Sequence, residues 1–419
     1  MLNSSASAAP RPSRFGWWRF AGPAFLVSVG YMDPGNWATD LTGGSKYGLA
    51  LLWVVLLSSI LAILLQILCV RMSVATGSDL AALCRRSFPK PVASVLWILA
   101  ELAIIACDVA EVIGSAVALL LLFRIPLPVG VLITGLDVLV LLFLLGKGRK
   151  PLEAFITVLV GTVALCFLIN LVLARPDLGA VGAALIPRAP LRGDALAIAV
   201  GILGATVMPH NLYLHSALAR GPEPLNGDAE QAHAVRGGTV STIGALSAAF
   251  FVNAAILVLA ATVFFPRGQI VGQLEKAHEL LGPTLGPVAP ILFGIALLAA
   301  GQSSTVTGTL AGQIVMEGFV GLKLKPHVRR FVTRAIAIVP AMILVTLFDG
   351  RDIDALVISQ IVLSLQLPFA VFPLVWLCSR RDLMGRFVSP PWLTVLGYIV
   401  AVVITGLNAN LLISLLPNR

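Results

Sequence analysis

Long runs of apolar residues dominate the pattern of hydrophobic and polar positions along this chain. Residues 49–70 and 156–174 are two of them, and each is close to the roughly 20 residues that an α-helix needs to cross the hydrocarbon core of a bilayer. The runs are apolar on every face, whereas strands of a membrane β-barrel alternate in polarity over about ten residues. The pattern therefore predicts an all-α membrane protein.

The hydropathy predicts about eleven transmembrane helices. Their predicted bounds are residues 19–42, 49–70, 92–122, 126–145, 151–174, 194–218, 239–265, 287–319, 329–348, 354–378 and 391–416. The arginine-bearing start of the chain resembles a signal peptide, but the apolar run after it is broken by polar residues and no clear cleavage site follows. We therefore expect the first helix to be retained.

Composition excludes a water-soluble globule, since 58% of the 419 residues are hydrophobic and only 12% are charged, against roughly 25% charged residues in soluble domains. The net charge of +9 does not indicate nucleic-acid binding, because the basic residues lie in the loops between apolar runs. The five cysteines stand singly, without CxxC spacing. Neither a disulfide framework nor a zinc site is predicted.

The distribution of basic residues predicts the orientation in the membrane. Of the 29 lysines and arginines, 19 lie in the N-terminal tail and alternate loops on one side, nine lie on the other side, and Arg334 lies within a span. Cytoplasmic loops carry the excess of Lys and Arg. We therefore expect a multi-pass protein of the cytoplasmic membrane, with a cytoplasmic N-terminal tail (residues 1–18) and the C-terminus outside.

Two predicted spans contain a helix-breaking sequence in the middle. The first span carries Asp33-Pro34-Gly35-Asn36 and the sixth carries Met208-Pro209-His210-Asn211. Proline removes a backbone donor and clashes with the preceding turn, so each span is expected to be a broken helix with free carbonyls near the middle of the membrane.

The spacing of the breaks predicts an internal repeat. The second break comes five spans after the first, and because five is odd, the two halves enter the membrane in opposite directions. That is the arrangement of an inverted repeat, whose binding site lies at the interface between the repeats. We expect one repeat over residues 19–174, a second over 194–378, and an additional helix over 391–416.

The residues at the two breaks predict a metal site. A carboxylate at bilayer depth, such as Asp33, is costly to insert and requires a cationic partner. Asn36 offers an amide oxygen, Met208 a thioether, and Ala205 a backbone carbonyl where the sixth span is expected to unwind. Oxygen ligands alone suit magnesium or calcium, but a soft sulfur favours transition metals. The set therefore indicates a divalent transition metal.

These motifs resemble those of the Nramp family of proton-coupled divalent metal transporters. The resemblance extends from about residue 20 to residue 415, and it rests on GYMDPGN at 30–36, ATVMPHN at 205–211 and GQSSTVTG at 301–308. It implies an eleven-helix bundle with the LeuT-like inverted repeat of amino-acid symporters. It also implies a metal site of Asp33, Asn36, Met208 and the Ala205 carbonyl, with Gln360 joining in some states. Magnesium-transporting relatives differ at the methionine position, so Met208 favours manganese or iron.

A second set of titratable residues lies on the third and sixth spans. Glu101, Asp108 and Glu111 fall within an arc of roughly 80° and extend over roughly 15 Å of a helix, which suits a relay of proton acceptors. His210 and His215 add groups that exchange protons near neutral pH. Arg329, Arg330 and Arg334 enter the ninth span from the proposed cytoplasmic side.

The family resemblance implies that several of these residues form a proton route separate from the metal route. The matching positions are Asp108, Glu111, His210, Arg329 and Arg330, and we add Asp33, Glu101 and His215 from the residues themselves. The alternative is a set of static ion pairs that lock the helices together. Other polar residues within spans, such as Asn253, are expected to form helix–helix hydrogen bonds.

Three other functions are alternatives to proton-coupled metal import. A sodium-coupled amino-acid or organic-solute symporter would share the architecture, but Asp33 would repel a substrate carboxylate. An intramembrane hydrolase is disfavoured because HExxH and GxSxG motifs are lacking in the sequence. A passive channel would carry metal without protons. We therefore expect a transporter and not an enzyme, without a resident cofactor, nucleic acid or obligate protein partner, which imports Mn²⁺ or Fe²⁺ together with protons.

Overall fold

The structure, a computed structural model, is a bundle of α-helices. It describes residues 18–136, 149–187, 191–219, 221, 227–321, 326–347 and 352–415, and no β-strand occurs among them. The helices are α1 (Trp18–Gly30), α2 (Pro34–Tyr47), α3 (Leu52–Thr76), α4 (Leu80–Ser87), α5 (Lys90–Phe123), α6 (Leu127–Thr134), α7 (Arg149–Ala174), α8 (Leu178–Ala183), α9 (Asp194–Val207), α10 (Pro209–Leu218), α11 (Asp228–Val263), α12 (Leu274–Leu285), α13 (Val288–Val320), α14 (Pro326–Leu347), α15 (Asp352–Ser379), α16 (Arg381–Met384) and α17 (Pro391–Leu415).

Every predicted span except the fourth corresponds to one helix or to a pair of shorter helices. Within the described ranges, eight helical stretches are long and apolar enough to cross a membrane, and Ala335–Leu347 is a shorter apolar helix. The first and sixth predicted spans are the pairs α1–α2 and α9–α10. Most of the predicted fourth span, residues 126–145, lies outside the described residues after α6. The tail of residues 1–17 also lies outside them.

The seventh span is the clearest difference from the prediction. Hydropathy begins it at residue 239, but α11 begins at Asp228 and carries Asp228 and Glu230 in its first turn. Acidic residues at this end complement the helix dipole. Hydropathy detects only the part of a helix that lies in lipid, so it misses this polar first section.

The broken helices lie inside the bundle, where they are surrounded by long helices. α2 and α11 pack along each other, as do α5 and α13, while α15 contacts both α5 and α9. Trp37 of α2 is fully buried and makes edge-to-face contacts with Phe167 and Phe293, at centroid distances of 4.5 and 5.4 Å. These contacts fix α2 against α7 and α13.

Glycines allow the closest approach between α9 and α15. A Cβ atom on Gly204 would lie 2.2 Å from the Gln360 carbonyl oxygen and 2.8 Å from the Ser364 nitrogen, which are backbone atoms. Backbone cannot rotate away as a flexible side chain can, so any larger residue forces the two helices apart. Gly204 therefore sets the distance between the broken sixth span and the helix that carries Gln360.

We expect Gly204→Ala to lower thermal stability measurably and to reduce transport, because overpacking a tight contact costs typically about 1–3 kcal/mol. The matched control is Gly244→Ala in α11, where an added Cβ meets nothing within 4 Å and improves helix propensity. Thermal unfolding in detergent, followed by intrinsic fluorescence, gives the comparison. Equal melting temperatures for Gly204→Ala and the unsubstituted protein would contradict the close contact.

Candidate metal site and family

The first break is built by Asp33 and Pro34. Asp33 is the N-cap of α2, and its Oδ1 accepts hydrogen bonds from the Asn36 backbone nitrogen at 2.8 Å and from Asn36 Nδ2 at 2.7 Å. Pro34 occupies the first turn of α2, where its missing N–H costs nothing. Helix capping therefore places a fully buried carboxylate at the point where the first span is interrupted.

The second break lies at Met208, between α9 and α10. Met208 has φ 39°, a backbone conformation that costs free energy for a residue other than glycine. Pro209 starts α10 and has no N–H, so the carbonyl of Ala205, four residues earlier, has no helical partner. The sequence places the unwinding of the sixth span at Ala205, but α9 stays helical to Val207 and is interrupted only at Met208. A metal-binding role for the Ala205 carbonyl stays a prediction.

The two breaks meet at the side chain of Asn36. Its Nδ2 donates to Asp33 Oδ1 at 2.7 Å and to the Ala205 carbonyl at 3.1 Å, so one amide bridges both half-helices. The sequence predicted that the Asn36 oxygen would face this position, but Oδ1 instead accepts from Asn253 Nδ2 at 3.4 Å. Rotation of the amide would exchange the positions of its oxygen and nitrogen. The exchange causes no steric clash, because the two ends have nearly the same shape.

Among the residues expected to bind metal, Asp33 and Gln360 each have a buried side-chain oxygen with no hydrogen-bond partner among the described residues. These atoms are Asp33 Oδ2 and Gln360 Oε1, and both side chains are fully buried. Asn211 Oδ1 and Asn253 Oδ1, near the same breaks, likewise have none. Gln360 approaches the first break closely, since a Cβ on Gly35 would lie 1.9 Å from its Nε2. Buried polar atoms normally find a partner. These atoms therefore provide unused acceptor capacity next to the carboxylate.

Met208 brings a thioether to the same junction. Its sulfur accepts a hydrogen bond from Asn211 Nδ2 at 3.3 Å, and its side chain packs with Cys107 and Leu363. Asn211 was not assigned a role from the sequence, although it stands in the Met-Pro-His-Asn motif. A Cβ on Gly30 would lie 2.5 Å from Asn211 Nδ2, so the glycine leaves the space in which Asn211 orients the sulfur.

The acids of the third span lie on α5, two of them buried and one half-buried. Asp108 and Glu111 are buried, and a Cβ on Gly308 of α13 would lie 2.8 Å from Asp108 Oδ1. Glu101 is half-buried and accepts a hydrogen bond from Trp97 Nε1 at 3.1 Å. The backbone of α14 packs along α5. The side chains of Arg329 and Arg330 lie outside the described residues.

The two histidines of α10 have different surroundings. His210 Nε2 lies 3.6 Å from Cys107 Sγ, which is 3.7 Å from Glu111 Oε1, so His210 is close to the acids of α5. His215 Nδ1 is 2.8 Å from Gln66 Oε1. His215 is therefore connected to a buried glutamine of α3 rather than to the acids.

A chain of hydrogen bonds connects His215 to the first break. Gln66 Nε2 donates to the Tyr31 hydroxyl at 2.8 Å, and the Tyr31 carbonyl accepts from Asn253 Nδ2 at 2.8 Å. The prediction that Asn253 forms a helix–helix hydrogen bond is confirmed. Gln66 carried a signal in the sequence, since it is a polar residue inside an otherwise apolar run, but its partners are distant in the chain.

All five cysteines are free, as predicted.

Comparison with known proteins gives the family. The family model described as "Natural resistance-associated macrophage protein-like" (Nramp) matches residues 24–414. This chain belongs to the Nramp family. A curated relative, the divalent metal cation transporter MntH of Nostoc sp., is 53% identical over 411 residues, which cover 96% of this Nramp chain and 93% of the relative.

Solved structures agree with this assignment. The manganese transporter of Eremococcus coleocola, crystallised with an aromatic bis-isothiourea compound, superposes on this Nramp chain with a TM-score of 0.84 and is 36% identical, covering 97% of this chain and 89% of its own. Mhp1, a nucleobase-cation-symport-1 family transporter, shares the fold at 16% identity with a TM-score of 0.61, covering 95% and 91% of the two chains.

The family confirms several predictions from the sequence. This Nramp chain is a multi-pass membrane transporter and not an enzyme, and it has the predicted fold class, an all-helical LeuT-like bundle. The repeat bounds 19–174 and 194–378 stay a prediction, as do the roles of the individual site residues.

Proposed function

We propose that this Nramp protein imports divalent transition metal ions, foremost Mn²⁺ and also Fe²⁺, together with protons. The observation that carries the proposal is the meeting of two interrupted helices at one buried carboxylate, one freed carbonyl and one thioether. Two relatives, a divalent metal cation transporter and a manganese transporter, support the same substrate class.

The proposed ligands are Asp33, Asn36, the Ala205 carbonyl, Met208 and Gln360. Asp33 Oδ2 and Gln360 Oε1 have acceptor capacity available, and rotation of the Asn36 amide would present a third oxygen. The carboxylate supplies charge, while the thioether favours a transition metal over calcium. The Asn36 amide N–H group donates to both Asp33 Oδ1 and the Ala205 carbonyl, so these two acceptors already face one position.

The proposed proton route uses Asp33, Glu101, Asp108, Glu111, His210, His215, Arg329 and Arg330. Cys107 lies between two central members of this route and the proposed ligand Met208. Its sulfur is 3.6 Å from His210 Nε2 and 3.7 Å from Glu111 Oε1, and its side chain packs against Met208. A proton acceptor this close to the metal site couples proton binding to metal binding. A positive charge bound at either site disfavours binding of a second positive charge at the other until the first has left. His215 would be linked to this proton route through its hydrogen bond to Gln66 and the hydrogen bond from Gln66 to Tyr31.

The membrane potential favours import. A cytoplasm-negative potential of about 100 mV contributes about 2.3 kcal/mol for each elementary charge that moves inward. A divalent ion with one proton therefore gains roughly 7 kcal/mol on entry. The broken spans would move against the remaining bundle to open the site first outside and then inside.

Metal uptake into proteoliposomes tests the function. We expect Mn²⁺ to accumulate, faster with an inside-negative potential and an acidic exterior, and we expect no accumulation of amino acids. Uptake of an amino acid with sodium, and none of Mn²⁺, would reject the proposal in favour of the symporter alternative. Mn²⁺ flux without any movement of protons would indicate a passive channel.

Glu111→Gln tests the proton route. We expect Mn²⁺ uptake to persist while the protons taken up per Mn²⁺ fall several-fold, because the amide keeps the shape but cannot accept the proton. A pH-sensitive dye inside the vesicles reports the proton flux. The matched control is Glu317→Gln on α13, which removes a half-buried acid that pairs with Gln313 at 2.9 Å. Loss of folding stability with an unchanged proton-to-metal ratio would favour the static ion-pair alternative.

A further inference from the structure

A cavity lies at one end of the bundle, away from the metal site. Its volume is about 560 Å³, and it opens between the turn that joins α3 to α4 and the segment that follows α15. Its polar lining is formed by Thr76, Ser78, Arg86, Ser87, Arg380 and Asp382. Both segments belong to the side that carries the excess of lysine and arginine.

The cavity has a positive side and hydroxyl groups that accept or donate hydrogen bonds. Arg86 Nη1 donates to Ser78 Oγ at 3.4 Å, a weak bond that leaves most of its donors available. Arg380 pairs with Asp382, with Nε 3.1 Å from Oδ1. These hydrogen bonds lower the pKa of the Asp382 carboxyl and raise that of the Arg380 guanidinium, so both groups are charged at neutral pH. One arginine charge remains uncompensated.

The rim of the cavity has the character of a membrane interface. α3 ends at Thr76 and α15 ends at Ser379, so the cavity lies where two spans leave the hydrocarbon. The Arg380 guanidinium stacks 4.9 Å above the Trp376 ring, which lies 5.1 Å from the ring of Phe88. Tryptophan at this depth is typical of the boundary between lipid and water. A polar cavity therefore adjoins an aromatic surface.

We propose that this cavity binds the phosphate headgroup of an anionic phospholipid. Arginine binds phosphate oxygens through paired hydrogen bonds, and basic pockets between membrane helices on the cytoplasmic side accept such headgroups. A free phosphate would use Arg86 and Arg380 equally well, but only a lipid would also cover Trp376 and Phe88. Asp382 competes with the phosphate for Arg380 and weakens the site.

Native mass spectrometry of the full-length protein tests this proposal. The protein is purified in detergent and titrated with phosphatidylglycerol, with zwitterionic phosphatidylcholine, and with inorganic phosphate. We expect phosphatidylglycerol to remain bound and to raise the melting temperature. Arg86→Gln should weaken binding about fivefold, because one basic residue contributes roughly that factor near an anionic headgroup.

Two further variants distinguish a site from general surface attraction. Asp382→Asn should strengthen phosphatidylglycerol binding several-fold by releasing Arg380, while Arg381→Gln, an exposed neighbour outside the cavity lining, should leave it unchanged. Equal losses for Arg86→Gln and Arg381→Gln would overturn the proposal. So would equal stabilisation by inorganic phosphate and by phosphatidylglycerol, since the occupant would then be a small anion. Metal transport does not enter these readouts, so their failure would leave the proposed function unaffected.

Discussion

Asp33→Asn is expected to abolish manganese binding and uptake. The substitution keeps the size and the N-cap of α2, because asparagine also accepts hydrogen bonds from the backbone of a helix start. It removes the negative charge that compensates the positive charge of a buried divalent ion. Loss of one partner of a buried ion pair costs about 3–5 kcal/mol, so binding should weaken at least 100-fold.

Calorimetric titration of the purified protein with Mn²⁺ measures the affinity, and proteoliposome uptake measures the flux. The matched control is Asp40→Asn, which removes another carboxylate of α2 that is only 2% exposed and lies about two turns from Asp33. We expect the control to bind Mn²⁺ and elute as a monodisperse protein. If Asp33→Asn binds Mn²⁺ as the unsubstituted protein does, Asp33 is not the central ligand.

The positions of the breaks follow from local chemistry, which is why the sequence predicts them. Pro34 and Pro209 each remove a backbone donor, and Asp33 caps the helix that follows. The free carbonyl of Ala205 is likewise fixed by the proline four residues later. These effects depend on neighbours in the chain and need no knowledge of the packing.

The partners of the polar side chains could not be predicted in the same way. The Asn36 amide turns its nitrogen toward Ala205 because Asn253, 217 residues away, is positioned near its oxygen. His215 was grouped with the acids of α5, but its neighbour is Gln66 of α3. Periodicity tells which residues share a helix face, and it does not tell which helix lies opposite that face.

The start of α11 illustrates a different limit of prediction from hydropathy. Residues 228–238 have a polar composition, and helical segments outside the membrane leave no trace in a hydropathy profile. The short helices α4, α8 and α12 were also assigned to loops, because their 8, 6 and 12 residues are too few to span a bilayer. None of these elements reaches the metal site, so the proposed ligands did not depend on them.

Met208→Ala is expected to reduce the preference for manganese over calcium. A thioether contributes little to the binding of hard ions such as Ca²⁺ but binds softer transition metals. Removing it leaves the oxygens of Asp33, Asn36, Ala205 and Gln360, which suit calcium. We expect calcium uptake to appear, manganese uptake to persist at a reduced rate, and cadmium binding to fall most, because cadmium is the softest of the three ions.

Competition assays in proteoliposomes, with calcium and manganese at equal concentrations, measure this preference. Met208→Leu separates the sulfur from the space it fills, since leucine has nearly the volume of methionine but no donor atom. Met32→Leu is the matched control, because Met32 is also buried at a break and its hydrogen bonds are made by backbone atoms. Its carbonyl accepts from Trp37 Nε1 at 3.2 Å and its N–H donates to the Val29 carbonyl at 3.1 Å. If both Met208 variants keep the selectivity of the unsubstituted protein, discrimination must come from the size and rigidity of the oxygen ligands. In that case Asn211, which orients the sulfur, would also be dispensable for selectivity.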